Sequence, residues 1–277
     1  MPATNEPERP FRGNAEFEFD LANPLFEQMR DLLESIEPLP LAAAHTTPLP
    51  ERPGVYLLRH QGTAVYIGKA DDSVRLRLGR HAQTLRGRRN LSVEDMTFSC
   101  ITFAATWNPF LPESHLIDYY QTAGSHGWNG KGFGSNEPGV NRGQTHLKAD
   151  NFYKRYPLRD DWVCATVPAG APPSTLDLLR AIKSNVPFYF KFQGNRVEGD
   201  AQKRREAEQA RLDYENTRIV VPKAGMTARE LLVLVAGELP GEWQATITPS
   251  HMLLYKERDA KYPEMEVVWP PRAKHPG

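Results

Sequence analysis

Apolar and β-forming residues come in short runs bounded by turn residues through the first half of the chain. Val55-Tyr56-Leu57-Leu58 reads as a strand, Gln61-Gly62-Thr63 supplies turn chemistry, and Ala64-Val65-Tyr66-Ile67 resumes as a second strand. Met96 to Phe103 alternates and predicts a third strand, and Trp162 to Val167 predicts a strand that closes the unit. Between the strands the period changes. Leu25, Met29, Leu32, Leu33 and Ile36 fall at helical spacing, with Asn23 as cap and Pro24 as first helical residue. Residues 38–50 read as a Pro- and Ala-rich linker. Asp71, Asp72 or Ser73 can cap a helix from Val74 to Arg86, which packs through Leu78 and Leu85. Glu113 opens a further helix ending near Gln121, with Leu116, Ile117 and Tyr120 as its buried face.

The second half shows other patterns. A helix is predicted over 174–186, an aromatic strand over 188–192, and a charged helix without a strong apolar stripe over 198–216. A helix from Met226 to Glu238, opened by Thr227, precedes strands near 243–248, 251–257 and 264–269. The expected class is α+β. An arm with an acidic helix (1–50) leads into a domain of small, mostly antiparallel mixed sheet flanked by helices (51–167). A connector with helices and an aromatic strand (168–225) and a smaller α+β module (226–277) follow. No internal repeat is found.

Charge changes this picture more than composition does. The chain has 277 residues and formal net charge zero, with 25% charged and 40% hydrophobic residues, as in an ordinary soluble protein. The charge is uneven. Residues 1–50 carry 3 basic and 9 acidic groups, and residues 51–165 carry 15 and 11. A neutral total therefore does not exclude a polyanionic partner, because phosphate binding depends on a local patch. The acidic helix reads either as a solvated face or as a surface that docks on a basic partner subunit. Cys100 and Cys164 are isolated, which suggests neither zinc nor a disulfide framework. The start has no signal pattern and no apolar run could cross a bilayer, so a cytoplasmic location without membrane contact is expected.

Candidate chemistry gathers around the two-strand core. Tyr56 and Tyr66 occupy matching places on the paired strands. The helix after Lys69 carries Arg75, Arg77, Arg80, His81 and Arg86, with Arg88 and Arg89 just beyond it. Arg77 and His81 are four apart and share a face. Arginine without lysine suits bidentate phosphate contact. Glu113 is an isolated carboxylate at a helix start, where the helix dipole alone would also place it. A Gly-rich loop over 124–143 presents Asn129, Lys131, Asn136 and Arg142. Lys148, Lys154 and Arg155 then interleave with Phe152, Tyr153 and Tyr156, a pattern that suits a nucleic-acid backbone or a packed basic loop. Tyrosines, arginines, a histidine and one carboxylate are the parts of a metal-assisted phosphodiesterase.

Gly54-Val55-Tyr56 and Tyr66-Ile67-Gly68 resemble the two halves of the GIY-YIG nuclease signature, at that superfamily's usual spacing. Arg77 and His81 on the next helix, Glu113 at a helix start and Asn129 after Trp128 follow in the family's order. Tyr66-Ile67-Gly68-Lys69-Ala70 and Trp128-Asn129-Gly130-Lys131-Gly132-Phe133-Gly134 look most like its type II restriction endonuclease branch, which cuts GC-rich palindromes. The resemblance covers roughly residues 15–165. It implies a metal-dependent endodeoxyribonuclease that leaves 5′-phosphate and 3′-hydroxyl ends, with one Mg²⁺ (or Mn²⁺) held by Glu113. Tyr56 would position or deprotonate the attacking water with help from His81, and Tyr66 would orient water or phosphate. Arg77 would stabilise the transition state, Asn129 would brace the site, and Arg77, Lys69 and the metal are the candidate cations for lowering the pKa of Tyr56. Arg75, Arg80, Arg86, Arg88, Arg89, Lys131, Arg142, Lys148, Lys154 and Arg155 are expected on double-stranded DNA. The implied partners are a second copy of the chain on DNA and a cognate DNA methyltransferase. The alternatives are a repair or mobile-element nuclease of looser specificity and a catalytically silent DNA-binding module.

Overall fold

A computed structural model describes residues 22–103, 119, 127–134, 146–195, 199–257 and 263–270. It is an α+β chain with two mostly antiparallel sheets flanked by helices. The strands are β1 (Leu39–Pro40), β2 (Gly54–His60), β3 (Thr63–Ala70), β4 (Met96–Thr102), β5 (Tyr189–Phe192), β6 (Trp243–Ile247), β7 (His251–Lys256) and β8 (Glu266–Trp269). The helices are α1 (Ala22–Ser35), α2 (Ala43–Thr46), α3 (Val74–Arg86), α4 (Phe152–Arg155), α5 (Thr175–Asn185), α6 (Ala201–Asn216) and α7 (Ala228–Glu238).

The first sheet has the order β1-β4-β2-β3, with each neighbouring pair antiparallel. Alternation along β2 divides its residues between two cores. Val55 and Leu57 join Ile67 and the α1 residues Met29 and Leu33 on one face. Tyr56 and Leu58 join Val74, Leu78 and Leu85 of α3 on the other. Helix α3 starts where its cap dictates: the Ser73 hydroxyl accepts from the Leu76 N–H at 3.2 Å. Leu32, expected on the packed face of α1, is instead 49% exposed. The stretch read as a linker contains β1 and α2. Pro40 is tolerated because β1 lies at the sheet edge.

The second sheet has the order β5-β7-β6-β8, with β5 parallel to β7. The aromatic strand of the connector and the strands of the C-terminal module therefore share one sheet. Its core reaches back to Leu158, Cys164 and Val167. The strand expected over 162–167 does not form; Val163 makes one isolated bridge to Thr227, and the segment packs on this second core. Helix α6 docks without an apolar stripe. It buries Ala207, Ala210 and Tyr214, and its buried Asp213 accepts from Trp243 Nε1 and Lys256 Nζ, both at 2.9 Å. Thr227 and Glu230 form a capping box that opens α7.

The end of α3 joins the two units. The Arg88 guanidinium donates to the Pro249 carbonyl at 2.9 Å, and Arg89 pairs with Asp160 at 2.8 Å. Asp160 also receives Arg229, which reaches Glu266 at 2.6 Å. Among the described residues no helix is long and apolar enough to cross a membrane.

Candidate active site

Three elements converge on the α3 side of the first sheet. The pairing of Tyr56 with Gly68 and of Leu58 with Tyr66 puts both tyrosines on that face, two pairs apart. The helical spacing of Arg77 and His81 turns both toward them. Tyr56 Oη lies 2.7 Å from His81 Nε2, and both side chains are buried. The Tyr66 ring is 6.1 Å from the Tyr56 ring and stands edge-on to His81 at 5.5 Å. Arg77 interacts with both tyrosine hydroxyls and donates from Nη2 to the Gly134 carbonyl at 3.1 Å. Its Nε is buried and has no hydrogen-bond partner, and no carboxylate among the described residues pairs with it.

Two glycines make room for this cluster. A Cβ at Gly68 would lie 2.4 Å from Tyr56 Oη, and one at Gly134 would meet Tyr66 Oη. Asn129 fastens the loop to the free edge of β3. Its Nδ2 donates to the Ile67 carbonyl at 2.7 Å and its Oδ1 accepts from the Ile67 N–H at 3.0 Å. Both ends of the amide are thus used on the main chain. Phe133 then stacks on His81 at 4.7 Å and meets Tyr66 edge-on at 4.9 Å. Phe133 was not among the expected site residues, because the aromatic groups of the loop were expected at its tips. The signal was Trp128 and Phe133 inside a Gly-rich stretch, where aromatics have little reason to stand unless they pack.

Burial governs the electrostatics. It pushes the Tyr56 phenol far above its ordinary range, Tyr66 adds to the shift, and Arg77 only partly opposes it. Arg77 thus lowers the Tyr56 phenol as expected of a neighbouring cation, but desolvation by burial outweighs it. Burial, with Arg77 beside it, lowers His81 to about 3. The pair is a neutral phenol against a neutral imidazole at physiological pH. A stability prediction follows. An unfolded His titrates near 6.5, so above that pH neither state binds the proton and His81 costs nothing. Below it, the unfolded chain takes up a proton that the folded one refuses. By pH 5 this removes about 2 kcal/mol of stability relative to pH 7.5. Urea unfolding of His81→Gln should lack that share of the acid loss; equal losses in both proteins would mean that folded His81 accepts the proton.

The other expected residues divide. Lys69 pairs in register with Val55, on the opposite sheet face, and binds Asp71 at 2.8 Å, so it does not join the tyrosines. Arg88 is corrected as a DNA contact: it is 1% exposed, with its guanidinium over the Tyr153 ring at 4.7 Å. Arg89 is held by Asp160 and Asp161 in the joint between the units. Arg75 pairs with Glu51, Lys131 with Asp150 at 3.5 Å, and Lys154 with Glu264 at 2.6 Å. Arg155 stands over Tyr156 at 5.8 Å. Phe152 and Tyr153 are core residues, so the basic and aromatic pattern there is largely a packed one. Arg80, Arg86 and Lys148 are exposed. Glu113, Asn136 and Arg142 lie outside the described residues. Comparison of the sequence with protein-family models and with curated proteins finds no significant match to either.

Proposed function

We propose that this chain is a metal-dependent endodeoxyribonuclease. The observation that carries the reading is the convergence on one sheet face of Tyr56, Tyr66, His81 and an Arg77 that no carboxylate among the described residues neutralises. A buried donor without a partner costs roughly 1–3 kcal/mol in the free protein. A phosphate oxygen would satisfy it. Arg77 would bind the non-bridging oxygens and stabilise the charge that grows on them in the transition state. Tyr56, kept neutral by burial, would position the attacking water rather than deprotonate it, with its hydroxyl oriented by His81 Nε2. Phe133 and Asn129 would keep His81 and β3 in place. Water oxygen would bond to phosphorus as the bond to the 3′ oxygen breaks. The proton lost by water balances the one gained by that oxygen, leaving 5′-phosphate and 3′-hydroxyl ends.

The described cluster offers a phosphate its cation but offers a hard metal ion no carboxylate, and no group of three His, Cys, Asp or Glu side chains converges among the described residues. Glu113 is the residue that would hold Mg²⁺, or Mn²⁺ in its place. Bound there, the ion would supply the means of activating water and of neutralising the phosphate and the departing oxygen. Type II restriction is the finer proposal, with a homodimer on duplex DNA and a cognate methyltransferase as partners. It rests on the stretches around Tyr66 and Trp128. Supercoiled plasmid incubated with the protein should be cut in Mg²⁺ and spared when a chelator is added. Discrete fragments would favour restriction, a smear would favour a looser nuclease, and uncut plasmid with Mg²⁺ and Mn²⁺ alike would sink the reading.

A further inference from the structure

A second basic surface lies beside the candidate site. An open groove of about 1440 Å³ is lined by Arg80, Gln83 and Thr84 of α3, by β5 with its flanks, and by α6. Among its described lining residues seven are basic and two, Glu206 and Glu257, are acidic. Among the described residues, Lys203 is paired with Asp200 at 3.7 Å and Lys256 with Asp213 at 2.9 Å. Arg80 and Arg205 are exposed, without a carboxylate partner among the described residues.

Arg88 forms part of the lining and is 1% exposed. Its Nη1 is satisfied by the Pro249 carbonyl, while Nε and Nη2 have no hydrogen-bond partner. Burial lowers this guanidinium to about 10. A buried cation is normally met by a carboxylate, because leaving it alone in a low-dielectric interior is costly. Here only a carbonyl and an aromatic face meet it among the described residues. The groove thus has an uncompensated charge beneath it as well as cations at its rim.

We propose that this groove holds the phosphate backbone of duplex DNA beyond the scissile bond, making the second unit a clamp for the substrate. The inference rests on the nuclease reading above. Arg80 on α3 and Arg205 on α6 present cations from two separate elements, which suits a polyanion better than one small anion. Arg77 and Arg80 are three residues apart, neighbours on one helix surface, so a single helix carries the strand from the site into the groove.

Binding is measured by fluorescence anisotropy without metal, using duplexes of about one and about three helical turns centred on the cleaved sequence. The variant Arg205→Glu reverses one exposed groove residue of the second unit. It should bind the long duplex about tenfold more weakly than the parent, with a salt slope flatter by roughly one unit. On the short duplex, affinity and the rate of cleavage in Mg²⁺ should match the parent. A variant that binds the long duplex like the parent overturns the groove, while parental cleavage leaves the nuclease reading standing. If the parent binds DNA through the groove yet never cuts it, the nuclease reading fails and the groove stands. A parent that binds neither duplex overturns both.

Discussion

Arg77→Ala should lower single-turnover cleavage about a thousandfold while changing duplex affinity by less than about tenfold. The difference follows from where the side chain stands. Exposed arginines contribute to binding by releasing counterions, each a modest and similar share of affinity. Arg77 is partly buried between Tyr56 and Tyr66, with an unmet Nε donor and no neutralising carboxylate among the described residues. Its charge is therefore fixed in place before substrate arrives, which favours the transition state over the ground state. Arg77→Lys should recover little, because an ammonium cannot serve two phosphate oxygens and the Gly134 carbonyl in one plane. Glu113→Gln should likewise abolish cleavage in Mg²⁺ and spare binding. If Arg77→Ala loses affinity and rate by the same factor, Arg77 merely holds DNA and the reacting phosphate sits elsewhere.

Local signals in the sequence located most elements, and global packing decided what their side chains do. Helix α3 was legible because Ser73 caps it and the leucines repeat inside it. Strands β6, β7 and β8 were legible because apolar runs lie between turns. Strand β1 was not, since two residues ending in proline carry no pattern and form only against β4. The run from Trp162 has strand composition, yet it is drawn onto the second core instead of into a sheet. That Arg77 and His81 share a face of α3 was readable from the helix period, while the partnership of His81 with Tyr56 was implied only by the resemblance. The period-two rule, applied to β3, would have set Lys69 on the far face with Val55. Arg88 was not readable. Six arginines between Arg75 and Arg89 look alike in composition, and only the seam between α3 and Pro249 buries one of them. The direction of the Tyr56 shift was also hidden, because it depends on desolvation and not on the neighbouring cations alone.

Gly68→Ala should destabilise the fold by about 1–3 kcal/mol and reduce cleavage at least about a hundredfold, although it adds a single methyl group. Gly68 sits opposite Tyr56 in the β2–β3 register. Its role is space: the added Cβ would lie 2.4 Å from Tyr56 Oη, 2.6 Å from Cζ and 2.8 Å from the Tyr66 ring. Tyr56 is wholly buried and cannot swing into solvent, so the strain must move the ring or part the strands. Either shift disturbs the 2.7 Å contact with His81 and the tyrosine hydroxyls that face Arg77. Gly62→Ala is the matched control. That residue has φ +80 in the turn and open space around it, so its substitution strains the backbone but leaves the cluster untouched. It should cost about 1 kcal/mol and keep full activity. Adding Tyr56→Phe to Gly68→Ala removes the atom nearest the new methyl group. Part of the lost stability should return while cleavage stays low, because the hydroxyl that positions water is gone. Urea unfolding and single-turnover cleavage of the three variants measure both effects. Full activity in Gly68→Ala would show that the tyrosines need no fixed position, and the catalytic role given to their arrangement would then be wrong.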